Sequence, residues 1–281
     1  MTDRRFGDAG RRLAGTARAV AHDPYEARER VLERLDEWKE RRRKPSQPPI
    51  VGGWEEQFHK FLGEPWPCPA HDEFSGLYQE VMASLTIRGL PVGRGAYGGW
   101  DDGDAALART AWCATLHTQP EHVIETGVAR GVTSRVVLEA FERNGFGHLW
   151  SIDIPPLIET DLRTETALAV PAGLRRRWRY LAGSSRRRLP GLVSILGTVD
   201  LFVHDSMHTT RNVGFELAQV WPALRDGGVV VVDDVERNSA FAAFGAAKAD
   251  WRAVAGKADD DRAIVGVALK QAPHSTPAPT D

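Results

Sequence analysis

Cysteine is nearly absent: the 281 residues contain two, Cys68 and Cys113, and neither lies in a metal-ligand spacing. The sequence therefore supports neither a disulfide framework nor a thiolate zinc site, and a reducing interior is expected. A surplus of one charge is also missing. The 36 Lys+Arg against 38 Asp+Glu leave a formal net charge of -2, which argues against a nucleic-acid partner held mainly by charge. No apolar run approaches the roughly 18 residues needed to span a bilayer. The opening MTDRRFGDAGRR lacks the apolar segment of a secretory signal, so a cytoplasmic location away from membranes is expected. There is no internal repeat. With 42% hydrophobic residues, the chain can build one large core with an attached cap.

Residues 1–50 read as a flexible Arg-, Gly- and Ala-rich tail followed by an amphipathic helix. Asp23 is the candidate N-cap, Pro24 occupies the first helical position and Glu26 completes a capping box. Val31, Leu32, Leu35 and Trp38 form a narrow apolar stripe, expected to rest on the body or on a second copy of the chain in a homo-oligomer. Arg41, Arg42, Arg43 and Lys44 crowd the helix end, where they complement its dipole. Residues 51–110 hold aromatic and Pro/Gly-rich pieces around a helix at SGLYQEVMASL and read as a cap or lid. Tyr97 and Trp100 within it either cover a ligand or plug a sheet edge.

From about residue 111 to 270 short Val/Ile/Leu runs alternate with helical segments, the pattern of a parallel sheet covered on both faces. The expected strands are HVIET, HLWSID, WRYLA, VDLFVHD and GGVVVVDD, with a closing pair near WRAVAG and AIVGVAL. Residues 271–281 are Pro-rich and expected to be disordered.

HVIETGVARGVTS, starting at His122, ends a strand on Glu125, turns at Gly127 and Gly131 and enters a helix containing Ser134. Ala129 and Val132 stand where a dinucleotide fingerprint wants its second and third glycines, which weakens a nicotinamide reading. Asp153, ending the next strand 26 residues after Gly127, is placed to accept two ribose hydroxyls or to cap a turn. Asp205 ends the fourth strand, with His208 three residues on, and Asp233 and Asp234 end the fifth. Adjacent parallel strands deliver such ends to one sheet edge, and three carboxylates crowded there call for a proton or a hard divalent cation, most plausibly magnesium. His208 is then the candidate general base, a structural histidine being the alternative. His204 is expected to be packed, and Glu216 and Gln219 to make solvent or inter-helix contacts.

The E-x-G-x-x-x-G-x-x-S pattern at Glu125, Gly127, Gly131 and Ser134 resembles motif I of the class I S-adenosylmethionine-dependent methyltransferases. The D-x-x-H at Asp205 and His208, followed by paired acids, resembles the metal-dependent O-methyltransferases that act on antibiotic sugars and the related cephalosporin hydroxylase and rhamnosyl O-methyltransferase group. The resemblance spans roughly residues 95 to 270. It implies a Rossmann-like, doubly wound α/β fold with a mostly parallel seven-stranded sheet and an N-terminal helical cap. It further implies S-adenosyl-L-methionine near Glu125, Gly127, Gly131, Ser134 and Asp153, with Ser184 where the family often has an acid beside the adenine. By the same resemblance Asp205, Asp233 and Asp234 hold Mg2+ and His208 is the base, for a small-molecule acceptor of the sugar or glycoside type. Two rivals stand beside it: a metal-dependent hydrolase or oxygenase using His204, Asp205 and His208, and a non-catalytic cofactor-binding module.

Overall fold

The computed structural model describes residues 23–42, 45–102, 104–154, 160–259 and 263–272. The expectations for the two terminal tails and for Arg43 and Lys44 lie outside the described residues. Seven strands form one sheet in the order β3-β2-β1-β4-β5-β7-β6, all parallel except β7, which runs antiparallel to both neighbours. They are β1 His122–Thr126, β2 His148–Asp153, β3 Trp178–Ala182, β4 Val199–His204, β5 Leu224–Val232, β6 Trp251–Lys257 and β7 Ile264–Lys270. Each coincides with an expected strand, except that β5 starts earlier, at Leu224.

The alternation of β-branched residues builds two cores. Val123, Leu201, Val203, Val229, Val231, Val265 and Val267 pack beneath α2 (Trp54–Leu62), α3 (Pro69–Ile87), α4 (Ala105–Thr118) and α5 (Val132–Asn144). Ile124, Phe202, Val230 and Val232 pack beneath α7 (Ser185–Leu196), α8 (Thr210–Val220) and α9 (Ala240–Ala246). A short α6 (Thr160–Glu165) and a 3-10 turn, Ala172–Arg177, lead into β3. The region read as a cap shares the first core, because Trp54, Phe58 and Phe74 are buried in it. Trp54 lies across Gly256 of β6 so closely that a Cβ there would sit 1.8 Å from its ring. This packing glycine lets α2 dock on the sheet.

The N-terminal helix, α1 (Pro24–Glu40), turns its acidic face to the body of its own chain, and the apolar stripe faces outward. Asp23 does cap it, accepting from the Glu26 N–H at 3.2 Å. Yet Val31, Leu35 and Trp38 are 59%, 48% and 52% exposed, while Glu26, Glu29 and Glu33 are buried. The acidic face wins because it meets donors. Glu29 pairs with Arg211 at 3.1 Å and Arg186 at 3.6 Å, and Glu40 accepts from the Thr210 N–H at 2.6 Å. Glu26 does not close a capping box. Its Oε1 instead accepts the Ser184 N–H at 2.9 Å, at the start of α7, where unsatisfied N–H groups favour an anion. The arginines at 175–177 and 186–188 likewise have partners within the chain, such as Val170 O for Arg175, Glu142 for Arg176 and Arg177, and Asp23 for Arg187. No helix among the described residues is long and apolar enough to cross a membrane.

Candidate active site

Strand register builds the site. Ile152, Thr126, His204 and Val232 lie side by side across β2, β1, β4 and β5. The next residue on each strand is Asp153, Gly127, Asp205 and Asp233, so one row at the carboxyl edge carries three acids and a glycine. Backbone hydrogen bonds continue the pairing past the strands: Gly127 N–H to Ile152 O at 2.9 Å, Asp205 N–H to Thr126 O at 2.8 Å and Asp233 N–H to His204 O at 3.0 Å. Gly127 adopts φ +88°, and a Cβ there would lie 1.8 Å from Asp205 O. Only glycine permits both the left-handed backbone and that approach. Gly131, at φ +82°, is the N-cap of α5 and packs against Ala167 and Val170.

Beneath the turn, Glu125 Oε2 accepts from Ser134 at 2.6 Å and from Ser151 at 2.5 Å, and Ser151 in turn accepts from the Trp178 indole at 2.8 Å. Oε1 of Glu125 is buried without a partner. Burial pushes this carboxyl up to about 7, against the pull of the two serines. Ser134 is fully buried, so it orients Glu125 from behind. Asp153 is half-buried beside the turn and takes hydrogen bonds from the Val128 and Ile154 N–H groups and from the Tyr180 hydroxyl, the last at 3.3 Å. Burial raises its carboxyl all the same. Tyr180 also lines a cavity of about 310 Å³ with Arg163, Thr166, Ala167, Arg175 and Trp178. Ser184 is held by α1, its hydroxyl buried without a partner. Arg30 of α1 donates to Ile154 O at 3.2 Å, next to Asp153.

Asp205, His208 and Asp233 come together, with one donor atom of each within 4.8 Å of the others. Asp234 stands to one side, its Oδ2 3.5 Å from His208 Nε2 and 3.0 Å from Arg237 Nε. It holds φ +50°, a left-handed conformation that side chains seldom adopt and that concentrates at functional sites. Burial first, then neighbouring carboxylates, drive Asp205 and Asp233 well above the usual carboxylate range. Burial first, then His204 and Arg237, hold His208 well below the usual imidazole value, so the ring is neutral near pH 7. Asp233 Oδ1 and His208 Nδ1 are buried without partners.

Two residues of this region were not legible as functional. Glu216, read as a solvent or inter-helix contact, is fully buried, and its Oε2 takes His204 Nδ1 and the Thr126 hydroxyl, each at 2.7 Å. Its Oε1 takes Ser206 at 3.0 Å and Asn212 at 2.9 Å, so one carboxylate ties β1, β4 and the loop carrying His208 together. The signal was present: Glu216 shares the face of Val213, Leu217 and Val220, an apolar stripe with a single acid in it. Arg130, inside the glycine turn, is 2% exposed and grips Asp102, Glu165, Pro91 O and Ala96 O, fastening residues 91–102 and α6 to the turn. Tyr97 is buried there, bonded to Leu162 O and Thr166 at 3.2 Å, while Trp100 is exposed.

Residues 124–235 match a family model described as a methyltransferase domain. No curated protein matches the chain. Among solved structures, the chain resembles the O-methyltransferase TomG from Streptomyces achromogenes, involved in tomaymycin synthesis and solved with SAM. That likeness has 16% identity and TM-score 0.52, over 69% of this chain and 89% of TomG. A putative O-methyltransferase from Klebsiella pneumoniae is also 16% identical with TM-score 0.52, over 79% of this chain and 97% of that one. An O-methyltransferase from Bacillus cereus, solved with SAH, is 13% identical with TM-score 0.50, over 77% and 97%. At these identities the likeness speaks for the fold, which is the seven-stranded Rossmann-like sheet described above. The chain thus carries a methyltransferase domain over residues 124–235, built on that sheet.

Proposed function

We propose that the protein is an S-adenosylmethionine-dependent O-methyltransferase that methylates a hydroxyl of a small molecule with the help of a magnesium ion. The observation that carries this reading is the single row of Asp153, Gly127, Asp205 and Asp233, with His208 beside it. Gly127 lets the Asp205 backbone close up against the turn beside which a nucleoside would lie, Asp153 stands where a ribose would be gripped, and the buried, unpartnered Oε1 of Glu125 would accept from an amino group. TomG and the Bacillus cereus enzyme, solved with SAM and SAH, share the frame that supports this placement.

The donor set suits a hard cation. Asp233 Oδ1 is buried without a partner, and Asp205 and Asp233 resist ionisation because burial and then neighbouring carboxylates oppose their charge. Asp205 and Asp233 would hold magnesium, and Asp234 would join them by exchanging its Arg237 contact for the ion. A divalent cation there supplies electrostatic stabilisation of the acceptor oxygen and lowers the pKa of its hydroxyl. The protein's own residues position the acceptor, exclude water and take up its proton. His208 is neutral and can accept that proton, and Asp234, 3.5 Å from Nε2, stabilises the resulting imidazolium. Glu216 fixes His204, whose ring meets that of His208 edge-on at 5.4 Å, and so sets the base from below.

A hydrolase or oxygenase built on His204 is disfavoured because that ring is fully buried and its Nδ1 is bound to Glu216. The sugar or glycoside class of acceptor rests on the resemblance of the D-x-x-H and paired acids at Asp205, His208, Asp233 and Asp234 to O-methyltransferases that act on antibiotic sugars. The test is transfer of a labelled methyl group from S-adenosylmethionine to a panel of sugar and phenol hydroxyls, with magnesium or with EDTA. Transfer that magnesium supports and EDTA abolishes upholds the proposal; equal transfer in both removes the metal from it. No transfer to any acceptor, with S-adenosylmethionine left unbound, overturns it.

A further inference from the structure

Away from the carboxyl edge, four side chains from three helices meet: His59 of α2, Cys68 at the N-cap of α3, and Cys113 and His117 on α4. We propose that they form a structural zinc site that fastens α2 and α3 to α4, the helix that packs on the sheet. One donor atom from each lies within 4.8 Å of all the others. A tetrahedral zinc with bonds of about 2.0–2.3 Å separates its donors by about 3.3–3.8 Å, so shifts of less than about 1 Å, outward for the Cys68–His117 pair, bring the donors to that spacing. Cys113 and His117 are one helical turn apart and therefore share a face of α4.

The ring nitrogens are already assigned for this task. His59 Nδ1 lies 2.7 Å from Glu55 O, and because a carbonyl only accepts, Nδ1 carries the hydrogen and Nε2 the lone pair. That Nε2 is buried without a partner in a residue 1% exposed. His117 presents Nε2 to Cys68 Sγ at 2.9 Å, and its Nδ1 faces Glu64 Oε2 at 3.5 Å. A carbonyl or carboxylate behind each ligating imidazole is how protein metal sites fix the tautomer. Cys68 and Cys113 are each 1% exposed and unbridged. Two thiolates and two neutral imidazoles cancel the charge of a zinc ion, so the closed set can be buried. With four protein donors and no open position, two of them thiolates, the set selects zinc and a structural role. The absence of a metal-ligand spacing in the sequence reflects ligands drawn from three helices rather than from one loop.

The test is metal analysis of the full chain purified without chelator. One zinc per chain is expected, retained under dialysis that strips magnesium. Cobalt substitution should give tetrahedral visible bands with a thiolate-to-cobalt charge-transfer band. Cys113→Ser and His59→Ala should lower zinc occupancy at least about 10-fold, while His59→Cys should restore it with a stronger charge-transfer band. Glu64→Gln keeps all four ligands and should weaken retention about 10-fold, which guards against loss through misfolding alone. A folded, metal-free chain whose melting temperature zinc does not change would overturn the proposal. So would a Cys68–Cys113 disulfide in the purified protein, or a cobalt spectrum without the thiolate band.

Discussion

Glu216→Ala probes the least visible part of the site. The carboxylate accepts four hydrogen bonds in a fully buried position, from Thr126, His204, Ser206 and Asn212. Burial alone would raise its pKa, and the opposing pull of the His204 ring, aided by Ser185 and Thr126, leaves it below the usual glutamate value. Truncation leaves the buried donors of His204 and its neighbours without an acceptor, at about 1–3 kcal/mol for each unsatisfied group, so a loss of roughly 3–5 kcal/mol is expected. Against a total stability of roughly 5–15 kcal/mol, that is a large fraction. Glu216→Gln should cost less, roughly 1.5–3 kcal/mol. The Thr126 hydroxyl can rotate and His204 can change tautomer to accept from the new amide. That tautomer change moves a hydrogen to His204 Nε2, so methyl transfer should fall in Glu216→Gln although the protein stays folded. Urea unfolding gives the stability and labelled-methyl transfer the activity. The native carboxylate's contribution is present above the unfolded pKa near 4.5 and is lost as pH falls through its lower folded value. A Glu216→Ala protein within about 0.5 kcal/mol of the parent, with unchanged transfer, would refute the reasoning.

Asp205→Ala should abolish methyl transfer while changing S-adenosylmethionine affinity less than about 3-fold by calorimetry, and equal loss of both would contradict the division of roles. His208→Ala should lower kcat by about 10² to 10⁴-fold in the same transfer assay, the range for a lost general base. Gly127→Ala places a Cβ 1.8 Å from Asp205 O at φ +88° and should cost roughly 2–5 kcal/mol in urea unfolding, with loss of cofactor binding. Glu125, Glu33 and Glu236 have folded values raised to about 7, and burial, then neighbouring carboxylates, raises Asp205 and Asp233 well above the usual carboxylate range. Groups raised in this way stabilise fully below their unfolded values and lose that contribution as pH rises through the folded ones. Melting temperature without metal should therefore fall from about pH 5 to about pH 8, and magnesium should restore it at the upper end.

The fold was legible because the strands are short runs of β-branched residues bounded by turns, and all seven lie where the pattern puts them. The edge row was legible too, since parallel strands deliver Asp153, Asp205 and Asp233 to one side whatever the details between them. What was hidden depends on tertiary partners. The orientation of α1 on its own chain follows from Arg186, Arg211 and the Ser184 N–H, which hold its acidic face. Glu216 looked like a helix-surface acid because its partners come from β1, β4 and a loop. Cys68 and Cys113 meet only because α3 and α4 pack side by side, a fact no local spacing encodes.

The most direct test of the central claim is calorimetric titration of the chain with S-adenosylmethionine and with NAD, each with and without magnesium. One S-adenosylmethionine per chain and no heat from NAD is the expected result, with Asp153→Ala weakening the former at least about 10-fold. NAD binding in place of S-adenosylmethionine, or binding that ignores Asp153, would contradict the account.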